Sequence, residues 1–212
     1  MINYHDYDEL ISNNRRWALE IQEKDPDFFR RHALAQNPPY LFIGCSDSRK
    51  PLDAITQTKM GELFIHRNVA NQASLTDLNF LSALEYAVTV LKVKHVIVCG
   101  HYGCGGVVSA YHGKITGIVA SWLMPIRDLY LQNYKMLHQI EDETKRLDRL
   151  CEMNVMAQVH NVCRTSIMRE AFQKPDYPRV HAWIFEMNSG FIKELDLPVE
   201  EWKEQQLLPD SF

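Results

Sequence analysis

Two short, almost wholly apolar runs set the frame of this chain. They are Tyr40-Leu41-Phe42-Ile43 and His95-Val96-Ile97-Val98-Cys99, and each stops at a glycine, Gly44 and Gly100. Short apolar runs without polar alternation, bounded by glycine, read as strands buried on both faces. Glu62-Leu63-Phe64-Ile65-His66 reads as another strand after a turn at Gly61. Between these runs, residues 76–91 carry Leu78, Leu81, Leu84, Val88 and Leu91 at helical spacing, with Thr76 as N-cap. Gly100 is expected to break the 95–99 strand, and a helix starts near Gly105. Residues 143–173 read as one long helix with Leu147, Leu150, Val155, Val159, Val162 and Ile167 on one side, closed by Pro175 and Pro178. Arg179 to Phe185 makes a fourth strand, and Phe191-Ile192 a short fifth. Strands alternating with helices give an α/β fold, a mostly parallel central sheet flanked by helices. Ahead of it, residues 8–35 read as a helical arm with apolar Leu10, Ile11, Trp17, Leu19, Ile21, Phe28 and Phe29, ended by Asn37-Pro38-Pro39. The expected organisation is a single domain over 1–212, with the arm at 1–37, the core at 38–195 and a tail at 196–212.

Composition narrows the partners. The 212 residues are 46% hydrophobic and 24% charged, with a net charge of −4 from 23 basic and 27 acidic residues. A chain without basic excess has no electrostatic footprint for nucleic acid. No run approaches the roughly 18 apolar residues of a membrane span. The first residues, Met1-Ile2-Asn3-Tyr4-His5-Asp6, have neither a basic region nor an apolar one, so a cytoplasmic location is expected. Five cysteines, an odd number at low density, are not a disulfide framework.

In open α/β sheets, ligands gather beyond the carboxyl ends of the strands. Cys45-Ser46-Asp47-Ser48-Arg49 follows the first strand, and His101-Tyr102-Gly103-Cys104-Gly105-Gly106 follows the 95–99 run. Cys45, His101 and Cys104 together supply two thiols and one imidazole. That is a ligand set for one zinc per chain, with three protein ligands and one open position. Taken singly, each of these cysteines reads as a core residue, as do Cys99, Cys151 and Cys163. Alone, Asp47 and Arg49 read as a turn carboxylate and a surface cation. Gly103, Gly105 and Gly106 either expose backbone N–H groups to an anion or permit tight turns. His5, His32, His112, His138, His160 and His181 have no visible partner, and none is singled out as a proton shuttle.

These two motifs, in this order and spacing, resemble the paired signatures of the β-class carbonic anhydrases. The resemblance continues through Gly61 to Asn71 and through Glu85-Tyr86-Ala87-Val88, and covers roughly residues 8 to 197. It implies a lyase (carbonate dehydratase) that interconverts carbon dioxide with bicarbonate and a proton, using zinc on Cys45, His101 and Cys104. Two thiolates cancel the formal charge of the metal, which weakens its effect on water relative to neutral histidines. Such a site gains from Asp47 orienting the nucleophile and from Arg49 holding Asp47 as a carboxylate. The resemblance gives Asp47 a second role as a fourth metal ligand in a closed state, released from Arg49. It further implies that Gln36 contacts substrate from a neighbouring subunit and that the working unit is a homodimer or homotetramer. Tyr86 and the apolar residues near Val69 either line the substrate pocket or are plain core. The aromatic content of the arm is expected to be buried partly against a partner chain.

Two rival readings share the site. One keeps fold and zinc but hydrolyses carbon disulfide or carbonyl sulfide. The other is a zinc-dependent redox sensor, which requires neither the Asp47–Arg49 pair nor an open position. The sequence also departs from some bacterial family members, which bind inhibitory bicarbonate through a tryptophan, an arginine and a tyrosine. The matching positions here are Phe42, Arg67 and Phe185, and Lys50 replaces a small apolar residue. Phenylalanine offers no N–H or O–H donor, so inhibition of this kind is expected to be weak or absent, with Arg67 the one remaining anion contact.

Overall fold

The computed structural model describes residues 7–212; residues 1–6, and His5 with them, lie outside the described residues. The chain divides after Gln36 into two compact units. The first holds α1 (Tyr7–Lys24) and α2 (Phe28–Leu34). The single helix expected over 8–35 is therefore two. Pro26 lacks an N–H and disfavours helical geometry at Asp25 before it, so the helix ends there. Trp17 meets Phe29 edge to face at 5.5 Å, and Phe28 meets Phe29 at 5.2 Å. Neither helix has a buried residue, and Leu10, Ile11, Leu19 and Leu34 stay exposed.

The second unit is the α/β domain. Its elements follow in order: β1 (Tyr40–Cys45), α3 (Leu52–Thr56), β2 (Leu63–Asn68), α4 (Leu78–Glu85), β3 (His95–His101), α5 (Gly105–His112), α6 (Gly117–Gln132), α7 (Tyr134–Leu137), α8 (Glu143–Arg164), α9 (Ser166–Ala171), β4 (Arg179–Phe185), β5 (Ile192–Glu194) and α10 (Val199–Glu204). The sheet order is β2-β1-β3-β4-β5. The first four strands are parallel and β5 is antiparallel at the edge. Alternate side chains go to opposite faces. Leu41, Ile43, Val96, Val98, Val180, Ala182 and Ile184 join the main core with α4, α5, α6 and α8. Phe42, Ile97, Cys99 and Phe185 form a smaller core on the other face with Leu52 of α3. Fully burying one such aliphatic side chain contributes about 1.5–3 kcal/mol, so the main cluster is the chief stabilising term.

Several boundaries differ from the sequence reading, each for a local reason. Asp77, not Thr76, caps α4, because its carboxylate accepts the Asn79 N–H at 3.0 Å. Residues Tyr86–Val90 continue as a single π-helical turn. The long helix expected over 143–173 is interrupted at Thr165, whose hydroxyl caps α9 through the Met168 N–H at 3.2 Å. Helix α6, with Pro125 inside it, had no counterpart in the sequence pattern. In the segment after residue 195, Trp202, Leu207 and Leu208 are buried in the main core. Among the described residues, no helix is long and apolar enough to cross a membrane.

Gly100 does not break β3; the strand runs through it to His101. The glycine is there for space. A Cβ at this position would lie 2.5 Å from Val155 Cγ2 of α8 and 3.3 Å from Ile184 Cδ1. Gly100→Ala is expected to cost about 1–3 kcal/mol by overpacking, read as a lower urea midpoint; a parent-like midpoint would show that α8 does not press on the strand as described.

Candidate active site

The parallel register brings the two motifs together. Gly44 of β1 pairs with Cys99 of β3, so Cys45 and His101 emerge from the same end of neighbouring strands. Beyond β3, Gly103 takes φ of +64°, a left-handed turn residue, and returns the chain so that Cys104 stands at the N-cap of α5. The ligand atoms of Cys45, His101 and Cys104 all lie within 4.8 Å of one another, and all three residues are buried.

The details fit a soft divalent ion. Cys45 Sγ and Cys104 Sγ are 3.9 Å apart. Two sulfurs each about 2.3 Å from a tetrahedral zinc would lie roughly 3.8 Å apart. His101 Nδ1 donates to the Tyr102 carbonyl at 3.0 Å. That bond fixes the tautomer and leaves the Nε2 lone pair bare. His101 Nε2 is buried and has no hydrogen-bond partner among the described residues. An uncompensated buried nitrogen costs free energy, and metal ligation removes that cost. The contact between the two sulfurs is the main cause that pushes the Cys45 thiol down, against burial, while the same contact together with burial pushes Cys104 up.

Asp47 and Arg49 form a closed pair beside this cluster. Arg49 Nε donates to Asp47 Oδ1 at 2.9 Å, and Nη2 to Oδ2 at 2.7 Å. The Arg49 amide adds a third bond to Oδ1 at 3.0 Å. These bonds hold the Asp47 carboxyl far below the usual carboxylate range, against partial burial. Asp47 Oδ2 is 3.8 Å from His101 Nε2, near the three-residue cluster but outside it. The carboxylate is therefore held by the arginine, beside the cluster.

The remaining sequence candidates fall elsewhere. Arg67, considered as an anion contact, spends its guanidinium on backbone: Nε and Nη2 donate to the Cys45 carbonyl at 3.0 and 2.8 Å, Nη2 to the Asp47 carbonyl at 2.7 Å, and Nη1 to the Lys50 carbonyl at 3.2 Å. Phe42 and Phe185 are both buried in the smaller core. Tyr86 is 43% exposed and packs against Phe64. Gln36 is exposed, the last residue of the helical unit.

Sequence reasoning missed the supports. Ala70 and Asn71 take φ of +64° and +48°, unusual for residues with a Cβ. The strain is held by buried Asn154, which donates to the Ala70 carbonyl at 3.1 Å, and by Gln158, which accepts the Ala73 N–H at 2.8 Å. Tyr102, whose carbonyl orients His101, donates its hydroxyl to Glu152 at 2.7 Å, and Lys193 Nζ pairs with the same carboxylate at 2.8 Å. An amide or carboxylate on a helix gives no such signal in sequence.

Residues 40–192 match the family described as carbonic anhydrase. A carbonic anhydrase of Emericella nidulans is 42% identical over 191 residues, covering 90% of this chain and 84% of that one. A tetrameric β-carbonic anhydrase of Sordaria macrospora is similar in structure, with TM-score 0.86 and 38% identity over 89% of this chain and 96% of that one. The chain belongs to the β-carbonic anhydrase family. The β-carbonic anhydrase of Coccomyxa, solved in complex with acetazolamide, is another neighbour, with TM-score 0.86 and 36% identity over 95% of this chain and 92% of that one. As a β-carbonic anhydrase, this chain keeps both signature motifs within the matched span.

Titrated with Zn²⁺ or Co²⁺, the metal-free protein is expected to bind one ion per chain and to release protons from the thiols. Cys104→Ser should lose that binding. Undiminished uptake by the serine variant would place the ion elsewhere.

Proposed function

We propose that this protein catalyses the reversible hydration of carbon dioxide to bicarbonate and a proton, with one zinc ion held by Cys45, His101 and Cys104. The observation that carries the reading is the bare, buried Nε2 of His101 beside two thiols at zinc spacing, with Asp47 held off the cluster by Arg49. Bound there, zinc would supply the Lewis acidity that makes water nucleophilic near neutral pH.

The chain's own groups do the rest. Asp47, kept ionised by Arg49, accepts a hydrogen bond from the attacking hydroxide and so aims the hydroxide oxygen at carbon dioxide, the proton lost in forming that hydroxide leaving to solvent. A carboxylate already fixed by three bonds needs little reorganisation when the reaction starts. Tyr102 fixes the imidazole tautomer, so His101 presents only its Nε2 lone pair to the ion. The main-chain bonds of Arg67 hold Cys45 and Asp47 in one rigid turn. Gln36 and Tyr86 are retained as proposed substrate contacts, and Asp47 as a fourth ligand in a closed state.

The working form is read as a homodimer or homotetramer. Support comes from the tetrameric Sordaria macrospora relative and from the apolar residues of α1 and α2 that a single chain leaves uncovered, such as Ile11 and Leu19. A cytoplasmic location is read from five free, buried cysteines, which suit a reducing compartment.

Asp47→Ala or Arg49→Ala is expected to keep its zinc yet lose about 10²–10⁴-fold in hydration rate, the range of one positioned acid–base group. Stopped-flow hydration alongside metal analysis checks this, and parent rates in both variants would remove the assigned roles. Sedimentation at assay concentration should show an oligomer, and a fully active monomer would contradict the assembly.

A further inference from the structure

Lys50 is a fully buried lysine, 1% exposed, at the end of the turn that carries Asp47 and Arg49. Its Nζ donates to the Cys99 and Gly100 carbonyls, both at 3.3 Å, and lies 3.6 Å from Cys99 Sγ. Cys99 and Gly100 are the two residues of β3 immediately before His101. Its backbone also belongs to the turn: the Lys50 N–H donates to the Asp47 carbonyl at 3.3 Å, and the Lys50 carbonyl accepts from Arg67 Nη1 at 3.2 Å. The turn from Cys45 to Lys50 is thus fastened to both neighbouring strands, and its Ser46 N–H also donates to the Asn68 carbonyl of β2 at 2.8 Å. Arg67 ties it to β2, and Lys50 ties it to β3.

Burying an amine is costly, and an apolar residue of similar length usually serves stability as well or better. A methionine here would fill the space without desolvating a charge. What the methionine lacks is the cross-strand bond between the Asp47–Arg49 turn and the strand that delivers His101. We propose that Lys50 is a positioning residue, which locks the turn so that Asp47 stays on Arg49 and keeps its place relative to His101. This rests on the hydration reading given above. In this reading, release of Asp47 from Arg49 goes with a shift of the turn, and the Lys50 bonds to both carbonyls oppose that shift. The tether therefore holds the arrangement in which Asp47 is bonded to Arg49.

The test is Lys50→Met, with Lys50→Gln as the variant that keeps an N–H donor. The zinc-loaded Met variant should keep one ion per chain and a melting temperature at or above the parent's. Its hydration rate should fall by about 10- to 100-fold, the scale of a small misplacement of a reacting group. Amide exchange at residues 46–50 should rise at least about tenfold, with α8 and β4 unchanged. In an Asp47→Ala background, Lys50→Met should change the rate no further, since two residues acting through one device are not additive. Lys50→Gln should recover part of both losses. Parent rates and exchange in Lys50→Met, additive losses in the double variant, or a lowered melting temperature with loss of zinc would each overturn the proposal. A parent protein that does not hydrate carbon dioxide would overturn the hydration reading instead, and the exchange measurement would still decide whether Lys50 locks the turn.

Discussion

The site depends on one constraint: β1 and β3 run parallel, side by side, and end together. With Gly44 opposite Cys99, a thiol and an imidazole from residues 56 positions apart in sequence leave the sheet at the same edge. A slip of one residue would send Cys45 to the other face. The register is held because both strands are buried on both faces, with Leu41, Ile43, Val96 and Val98 in the main core and Phe42 and Ile97 in the smaller one. Gly100 tightens it further by letting α8 sit directly on β3.

Around that edge the polar groups fall into two sets. One set is proposed to make the chemistry: Cys45, His101 and Cys104, which stand close enough to hold one ion, and the Asp47–Arg49 pair beside them. The other set removes freedom from the first. Tyr102 settles the His101 tautomer, Asn154 holds the left-handed Ala70 against the cluster, and Arg67 clamps the turn by three carbonyls. Preorganisation of this kind is worth more than extra contacts, since a water-poor site strengthens fixed dipoles and spares their reorganisation during reaction.

Much of this was legible in the sequence because it was written in short-range patterns. The β4 limits, Arg179 to Phe185, and the start of α5 at Gly105 match the apolar run and the glycine that bound them. Cys45, His101 and Cys104 stood out because they sit at strand ends beside glycines, and the structure does bring the three together. The misses have physical causes. Gly100 looked like a strand breaker, but it is a close-packing residue, which only the position of Val155 reveals. Thr76 and Asp77 are both good caps, and only the bond to Asn79 separates them. Helix α6 has an internal proline and buries only Leu123, Ile126 and Tyr130, so its period was faint. Lys50 was visible as an odd residue, yet its two carbonyl partners lie about 50 positions away and had no local signature.

Two sulfurs and one imidazole from this chain are proposed to form an open metal centre. X-ray absorption at the zinc edge of the purified protein tests it most directly. Two sulfur ligands at about 2.3 Å and one imidazole nitrogen at about 2.0–2.1 Å are expected. A fourth, light ligand should be exchangeable and should change when an anionic inhibitor is added. Four fixed protein ligands that ignore such anions, or a shell without sulfur, would contradict it.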